Sequence, residues 1–204
     1  MATPRTFIFI GRSGCGKGTQ AERLIERLKE DGTISDTNPL FYLETGNQFR
    51  ALIAGTSHTS RLAKAVGGRG ERQPDFLAIY VWSHLLVENI LGDENIILDG
   101  TPRSLPEAQV LNTAMKFFER GKVDVVWLDV SREWSKERME ARGRADDKKS
   151  GDIEKRLAWF DADVMPAIKY YRDNPDYNLH RINGEQPIDK VYEDLLASLN
   201  GLPC

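Results

Sequence analysis

The residues best suited to chemistry in this sequence lie together in GRSGCGKGTQ, residues 11–20. The stretch places four glycines, Lys17 and Thr19 between the apolar run TFIFI and an amphipathic helical pattern. Glycines let bare backbone N–H groups wrap an anion, and the N-terminus of the next helix adds positive potential. Lys17 would bring a mobile charge to the terminal phosphates of a nucleotide. The stretch therefore predicts a phosphate-binding loop.

Gly18 distinguishes this loop from the commoner form, which carries Ser or Thr directly after the lysine. Thr19 becomes the nearest hydroxyl, so the loop cannot grip Mg²⁺ in the usual way. The pattern GxxGxGKGTQ resembles the nucleoside monophosphate kinases, and the short-lid adenylate kinase family in particular. The resemblance implies ATP as a substrate, with Mg²⁺ held largely through waters and phosphates, which suits an ion that dehydrates reluctantly.

The segment LETGNQFR, residues 43–50, resembles the edge of the family's monophosphate pocket, with Thr45 and Gly46 in register. Arg50 matches the arginine that holds the monophosphate, and its planar guanidinium suits a phosphate dianion. The segment GRGERQPDF resembles the family's GKLVPD, and Gln73 replaces an aliphatic residue whose backbone borders the base. By itself this second segment would predict only a helix start.

The segment ILDGTPRSLPEAQ, residues 97–109, resembles the family's LDGFPRT motif. Asp99 ends a predicted strand, and ligands of open parallel sheets bind at the carboxyl ends of strands. The resemblance implies that Asp99 orients water bound to Mg²⁺ and that Gly100 and Arg103 hold the monophosphate.

Glu107 occupies the position at which the adenylate members of the family have Gln. An amide can donate to adenine N1 and accept from N6, whereas an ionised carboxylate only accepts and would pair better with guanine. Gln109 points to another side of the helix and cannot replace it. We expect AMP as the phosphoryl acceptor. The alternative acceptor is GMP, UMP, CMP or a deoxynucleotide. Besides Glu107, three other departures from the family pattern motivate this alternative: Asn47, Gln73 and Thr101.

The segments SKERMEARGRADD and DIEKRL, within residues 135–157, resemble the family's lid region. Arg138 and Arg142 are four residues apart, so a helix presents them on one face, and the resemblance directs them to ATP. Arg144 and Arg156 match arginines that bridge the phosphates of both substrates. Two acids match the pair that orients the lid arginines: Asp146 and Asp147. Such a charged run is usually a solvated helix face, but its position after two other motifs favours the lid.

The resemblance covers about residues 5–199 and assigns overlapping sets of site residues. The ATP-binding set is Gly14, Cys15, Gly16, Lys17, Gly18, Thr19, Arg138, Arg142 and Gly184. The monophosphate-binding set is Thr45, Gly46, Arg50, Gln73, Gly100, Arg103, Glu107, Arg144 and Arg156. The catalytic set is Lys17, Arg103, Arg138, Arg144 and Arg156. Mg²⁺ is expected near Thr19 and Asp99, held through water.

These motifs need elements that bring them together. Runs rich in β-branched and aromatic residues predict five strands, at 6–10, 40–43, 95–98, 123–129 and 178–182. Periodic apolar patterns predict helices at 18–30, 46–55, 74–91, 105–120, 131–142, 150–172 and 187–199. The glycine- and arginine-rich segment 58–74 predicts a mobile connection.

The alternation of strands and helices predicts an α/β, three-layer P-loop fold with a parallel sheet and helices on both faces. The resemblance implies five strands in the order 2-3-1-4-5. We expect a single domain over residues 1–204, with a monophosphate-binding insert at 44–75 and a short lid at 139–148.

Composition limits the classes of function. The chain of 204 residues is 40% hydrophobic, 29% charged and carries a net charge of −3, so no overall basic field suggests nucleic acid. No run approaches the ~20 apolar residues that span a bilayer, and we recognise no signal peptide. Two cysteines, Cys15 and Cys204, fit a reducing compartment. We expect a cytoplasmic monomer that binds small nucleotides, without nucleic acid or membrane partners.

Phosphoryl transfer needs in-line placement of two anionic substrates and cations around the moving group. The resemblance implies reversible transfer of the ATP γ-phosphoryl group to a nucleoside monophosphate, with AMP first (ATP + AMP = 2 ADP). A nucleotide-binding regulator without catalysis is the alternative from another class. The full set of arginines disfavours it, because a sensor has no need of cations around a transition state.

Overall fold

The computed structural model describes residues 4–143 and 150–199, without the side chains of residues 150–152. Five strands form in chain order: β1 Thr6–Gly11, β2 Leu40–Glu44, β3 Asn95–Asp99, β4 Val123–Asp129 and β5 Tyr177–Asn183. The helices before β4 are α1 Lys17–Glu30, α2 Thr45–Ala54, α3 His58–Gly68, α4 Asp75–Asn89 and α5 Leu105–Phe117. Those after it are α6 Arg132–Arg142, α7 Ser150–Trp159, α8 Met165–Arg172 and α9 Ile188–Ser198, with a π-helical turn Phe160–Val164 between α7 and α8.

The strands form one parallel sheet in the order β2-β3-β1-β4-β5, which confirms the predicted fold class and strand order. Alternate residues of β1 face opposite sides because successive side chains of a strand point to opposite faces. Ile8 and Ile10 pack with α4, α5 and α8, whereas Phe7 and Phe9 pack with α1 and α9. Apolar residues on both sides explain the nearly unbroken hydrophobic runs of the strands.

The region between β2 and α4 departs from the sequence prediction. Residues 58–74 were expected to be a mobile connection, but α3 occupies His58–Gly68. The side chain of Ser57 accepts a hydrogen bond from the N–H of Ser60 at 3.0 Å and caps this helix. Ala63 is buried in a small cluster with Phe49 of α2 and three residues of α4: Leu77, Ala78 and Val81. The helix therefore depends on packing against its neighbours, which a glycine count does not reveal.

Hydrogen bonds among polar side chains link β4 to β5 and to Arg5, which precedes β1. Asp124 is buried and accepts hydrogen bonds from Arg5 at 2.8 Å, Asn178 at 3.1 Å and His180 at 3.0 Å. Burial acts to raise the pKa of Asp124, but these hydrogen bonds outweigh it and hold the pKa below its ordinary value. The cluster lies near the start of the strands, away from the cavity described next.

Candidate active site

The carboxyl ends of the strands open onto a cavity of about 1220 Å³. β1 lies between β3 and β4, and ligands of open parallel sheets bind where the strand order reverses in this way. Five residues at or directly after strand ends line the cavity: Glu44, Thr45, Asp99, Gly100 and Gly184. Its volume exceeds the roughly 300–1,000 Å³ of an ordinary ligand pocket, so two nucleotides have room in it.

The loop between β1 and α1 lies against α6. Gly14 and Gly16 have φ values of 81° and 95°, in the left-handed region that favours glycine. A Cβ atom at Gly14 would lie 3.2 Å from Cβ of Arg138. The hydroxyl of Ser135 donates to the carbonyl of Ser13 at 2.6 Å. The glycines therefore allow the loop and Arg138 to share one wall of the cavity.

Lys17 is held inside the curve of this loop. Its ammonium donates to the carbonyls of Gly11 and Arg12, both at 2.9 Å. The buried thiol of Cys15 lies 3.5 Å from the same nitrogen. The loop thus places a positive charge at the N-terminus of α1, where an anion also meets backbone N–H groups.

Asp99 faces the loop from the end of β3. A Cβ atom at Gly18 would lie 3.4 Å from Asp99 Oδ2, so Gly18 keeps the space between loop and carboxylate open. Tyr42 donates to the same oxygen at 3.4 Å. Burial raises the pKa of Asp99, against the opposing attraction of Lys17 and Arg103.

Arg50 lies beside Glu44, with which it forms an ion pair at 2.8 Å. It also donates to Asn47, which itself donates to Glu44. A Cβ atom at Gly46 would lie 3.2 Å from Nη1 of Arg50, so glycine at this position admits the guanidinium. Asn47, one of the departures from the family pattern, is thus part of a network that orients Arg50.

Arg103 is surrounded by four charged side chains of the cavity. Its Nε donates to the carbonyl of Gly100 at 2.7 Å. Burial lowers the pKa of Arg103, and the nearby charges of Arg156 and Arg50 add to this, whereas Glu107 and Asp99 oppose it. Three arginines from three separate segments therefore share one concave space, which is an arrangement that attracts phosphate.

Two tryptophans also line the cavity. The guanidinium of Arg138 lies 4.7 Å above the ring of Trp134, a cation–π contact that orients the arginine. Trp159 also lines the cavity, and its buried N–H has no hydrogen-bond partner among the described residues. Trp134 lies one turn before Arg138, so an i,i+4 aromatic–arginine pair was the signal available in the sequence.

The far end of the cavity contains Glu107, which is only 1% exposed. Thr101 donates to its Oε2 at 3.2 Å, and Nη1 of Arg72 lies 3.4 Å from its Oε1. Arg72 also pairs with Asp75 at 2.7 Å and with Asp163 at 3.3 Å. Burial raises the pKa of Glu107, opposed by the positive charges of Arg103 and Arg72. Sequence reasoning did not identify Arg72, because its partners come from three different segments.

All the predicted site residues within the described part of the chain line this one cavity: Gly14, Cys15, Gly16, Lys17, Gly18, Thr19, Thr45, Gly46, Arg50, Gln73, Asp99, Gly100, Arg103, Glu107, Arg138, Arg142, Arg156 and Gly184. Gln73 is tied to α3 because its side-chain amide donates to the carbonyl of Ala63 at 2.9 Å. The predictions for Arg144, Asp146 and Asp147 lie outside the described residues. Within residues 4–143 and 150–199, no group of three His, Cys, Asp or Glu side chains could hold a metal.

The sheet order, the glycine loop over Lys17 and the arginine-lined cavity define the class of this protein as a P-loop kinase of nucleoside monophosphates. The family model described as adenylate kinase matches residues 9–175. The chain belongs to the adenylate kinase family, and the predicted family resemblance is confirmed. Membership makes it a nucleotide-dependent phosphotransferase.

Relatives support this assignment along most of the chain. An adenylate kinase of Synechococcus sp. (strain WH7803) is 35% identical over 165 residues, which are 81% of this chain and 83% of that protein. The protein named adenylate kinase 1 of Synechocystis sp. is 32% identical over 199 residues, 96% of this chain and 97% of its own length. An adenylate kinase of Bacteroides fragilis is 29% identical over 201 residues, 96% and 98% of the two chains. In the described residues, no helix is both long and apolar enough to cross a membrane.

Proposed function

We propose that this enzyme reversibly transfers the γ-phosphoryl group of ATP to AMP, giving two ADP. The observation that carries the proposal is the convergence of Lys17, Arg50, Arg103 and Arg156 on one cavity large enough for two nucleotides. The relatives described above are named adenylate kinases, which favours AMP over the other monophosphates. Phosphoryl transfer is governed by placement and charge, and this cavity offers both.

The two ends of the cavity suit the two substrates. ATP lies over the glycine loop, with Lys17 at its terminal phosphates and Arg138 and Arg142 beside it. AMP lies under α2, where Thr45, Gly46, Arg50 and Gly100 border its phosphate, and its base lies near Gln73 and Glu107. Gly184 borders the ATP base after β5.

Arg103 and Arg156 lie between these two ends and surround the transferred group, and we assign Arg144 to the same role. The negative charge that spreads over the phosphoryl oxygens in the transition state is stabilised by these cations. No side chain has to abstract a proton in this scheme. The insert 44–75 and the lid 139–148 would close over the substrates and exclude water, which limits hydrolysis of ATP.

The residues present fit Mg²⁺ bound together with ATP rather than in a cage made by the protein. Near the loop they include the buried carboxylate of Asp99 and the hydroxyl of Thr19, both lining the cavity. Mg²⁺ keeps several waters and commonly binds through one or two carboxylates and substrate phosphates. The ion would neutralise charge on the phosphates, while Asp99 would orient its water shell.

We infer a cytoplasmic monomer whose partners are small nucleotides; the free thiol of Cys15 is compatible with a reducing compartment.

The test is ADP formation from ATP and Mg²⁺ with AMP, GMP, CMP, UMP and dAMP as acceptors. We expect AMP to give the highest kcat/KM. If another monophosphate gives a higher kcat/KM, that monophosphate is the preferred acceptor instead of AMP. Nucleotide binding without turnover of any acceptor would instead indicate a regulator.

A further inference from the structure

The acceptor base needs a hydrogen-bond donor that an ionised Glu107 cannot provide. This inference rests on the proposed function, with AMP as the acceptor. The Watson–Crick edge of adenine presents an acceptor at N1 and a donor at N6. An ionised carboxylate only accepts, so Glu107 leaves N1 without a partner from its side chain. Some other group must donate to N1 if the enzyme distinguishes AMP from other purine monophosphates.

Arg72 lies where such a donor is needed. It lines the cavity, and its Nη1 is 3.4 Å from Oε1 of Glu107. Its Nε donates to Asp163 at 3.3 Å, and its Nη1 also donates to Asp75 at 2.7 Å. Nη2 donates to no group within the described part of the chain and so retains its hydrogens for a ligand. The guanidinium is therefore held through Nε and Nη1.

The exposures of the two side chains indicate which of them meets the base. The side chain of Glu107 is 1% exposed and that of Arg72 is 17% exposed. Each oxygen of Glu107 already accepts a hydrogen bond, one from Arg72 and one from Thr101. A guanine edge would need both oxygens exposed to it, whereas this carboxylate is almost completely buried and its two oxygens already face Arg72 and Thr101. The preference for guanine that the carboxylate suggested is therefore disfavoured.

We propose that Arg72 is a base-reading residue, which donates from Nη2 to N1 of the adenine ring, and that Glu107 positions it together with Asp75 and Asp163. The pair of Arg72 and Glu107 then supplies the donor that a single amide supplies in the family pattern. Asp75 is itself fixed by the hydroxyl of Ser104, which donates to it at 2.6 Å. The three carboxylates come from the start of α4, from α5 and from the π-helical turn, so the arginine is held from several directions.

The first test uses the wild-type enzyme and an AMP analogue in which ring N1 is replaced by C–H (1-deaza-AMP). A hydrogen bond to a charged donor predicts that KM for the analogue exceeds KM for AMP about 10- to 100-fold, with KM for ATP unchanged. Equal KM values for AMP and the analogue would overturn the proposal without any substitution. Failure of the wild type to phosphorylate AMP at all would instead overturn the proposed function.

The second test compares Arg72→Met with Arg69→Met. Arg69 is in the same segment, pairs with Glu71 on the surface and does not line the cavity, so it is a matched control. We expect Arg72→Met to raise KM for AMP about 10- to 100-fold, to leave KM for ATP within about twofold, and to lose the distinction between AMP and 1-deaza-AMP. Arg69→Met should leave KM for AMP, KM for ATP and the distinction between AMP and 1-deaza-AMP unchanged. A lower melting temperature of Arg72→Met with unchanged KM for AMP would show a structural role only and would overturn the proposal.

A third comparison separates base reading from positioning. Glu107→Gln introduces an amide that can itself donate to N1. Added to Arg72→Met, it should lower KM for AMP again and restore the discrimination against 1-deaza-AMP. A further increase of KM in the double variant would contradict the roles assigned to the two side chains.

Discussion

The Arg103→Met substitution removes the cation around which the cavity charges are arranged. The guanidinium donates to the carbonyl of Gly100 at 2.7 Å and interacts with two attractive neighbours, Glu107 and Asp99, and two repulsive ones, Arg156 and Arg50. Methionine keeps much of the apolar stem of arginine but neither its charge nor its donors. The substitution therefore tests charge placement with a small change of volume.

The expected loss of activity follows from the contacts that the guanidinium would make to phosphate. Two charge-assisted hydrogen bonds contribute about 3–6 kcal/mol if each contributes about 1.5–3 kcal/mol. At 1.36 kcal/mol for each factor of ten, kcat/KM for AMP should fall by a factor of roughly 10² to 10⁴. Stability should change by only about 1 kcal/mol, the contribution of the lost hydrogen bond, because the attractive and repulsive neighbours offset each other.

The assay measures ADP formation at saturating ATP and, in parallel, urea unfolding of the same preparation. Arg172→Met is the control, because Arg172 is exposed and pairs with its neighbour Asp173, away from the cavity. The reasoning is refuted if Arg103→Met retains kcat/KM within tenfold of wild type. It is also refuted if the loss of unfolding free energy is large enough to leave the enzyme unfolded in the assay.

Three other perturbations have definite expected outcomes. Lys17→Met should lower kcat by at least about 10²-fold in the ADP assay with nearly unchanged circular dichroism, because it removes the cation at the phosphate loop; wild-type-like turnover would contradict the assignment. Gly14→Ala should cost about 1–3 kcal/mol in urea unfolding, because φ is 81° and the new Cβ would approach Cβ of Arg138 to 3.2 Å; unchanged stability would refute this. The lowered pKa of Asp124 stabilises the fold above its unfolded-state value of 3.8 and ceases to do so as the pH falls below it. The unfolding free energy of the wild type should therefore fall more steeply below pH 4 than that of Asp124→Asn, and parallel pH curves would exclude this contribution.

Local sequence determined much of the fold. The apolar strands were recognisable within one residue of their observed ends, because burial on both faces leaves an almost continuous hydrophobic run. The glycine loop was recognisable because a positive φ and a close approach of backbone restrict the residue type at Gly14 and Gly16. Helix α3 was missed because burial of Ala63 against α2 and α4 stabilises it, and that packing is not visible in a segment rich in glycine and arginine.

The motifs also predicted many of the residues that line the cavity. Asp99 and Arg103 belong to one motif and Lys17 to another, and parallel strands bring their carboxyl-terminal ends to the same edge of the sheet. The described residues that the motifs predicted all line the one cavity. Sequence alone thus predicted a phosphate-binding site and its residues, because each motif is contiguous and its spacing follows from the local backbone.

Only the tertiary structure decided how the base end of the cavity is built. The sequence presented Glu107 as an acceptor without a donor and left guanine open. The fold buries that carboxylate and places Arg72 beside it, held also by Asp75 and Asp163. Glu107 and Asp163 are distant from Arg72 in sequence, so no local pattern records their contacts. Local patterns therefore predicted the proposed phosphate site, whereas the surroundings of Glu107 arise from contacts between segments that only the folded chain brings together.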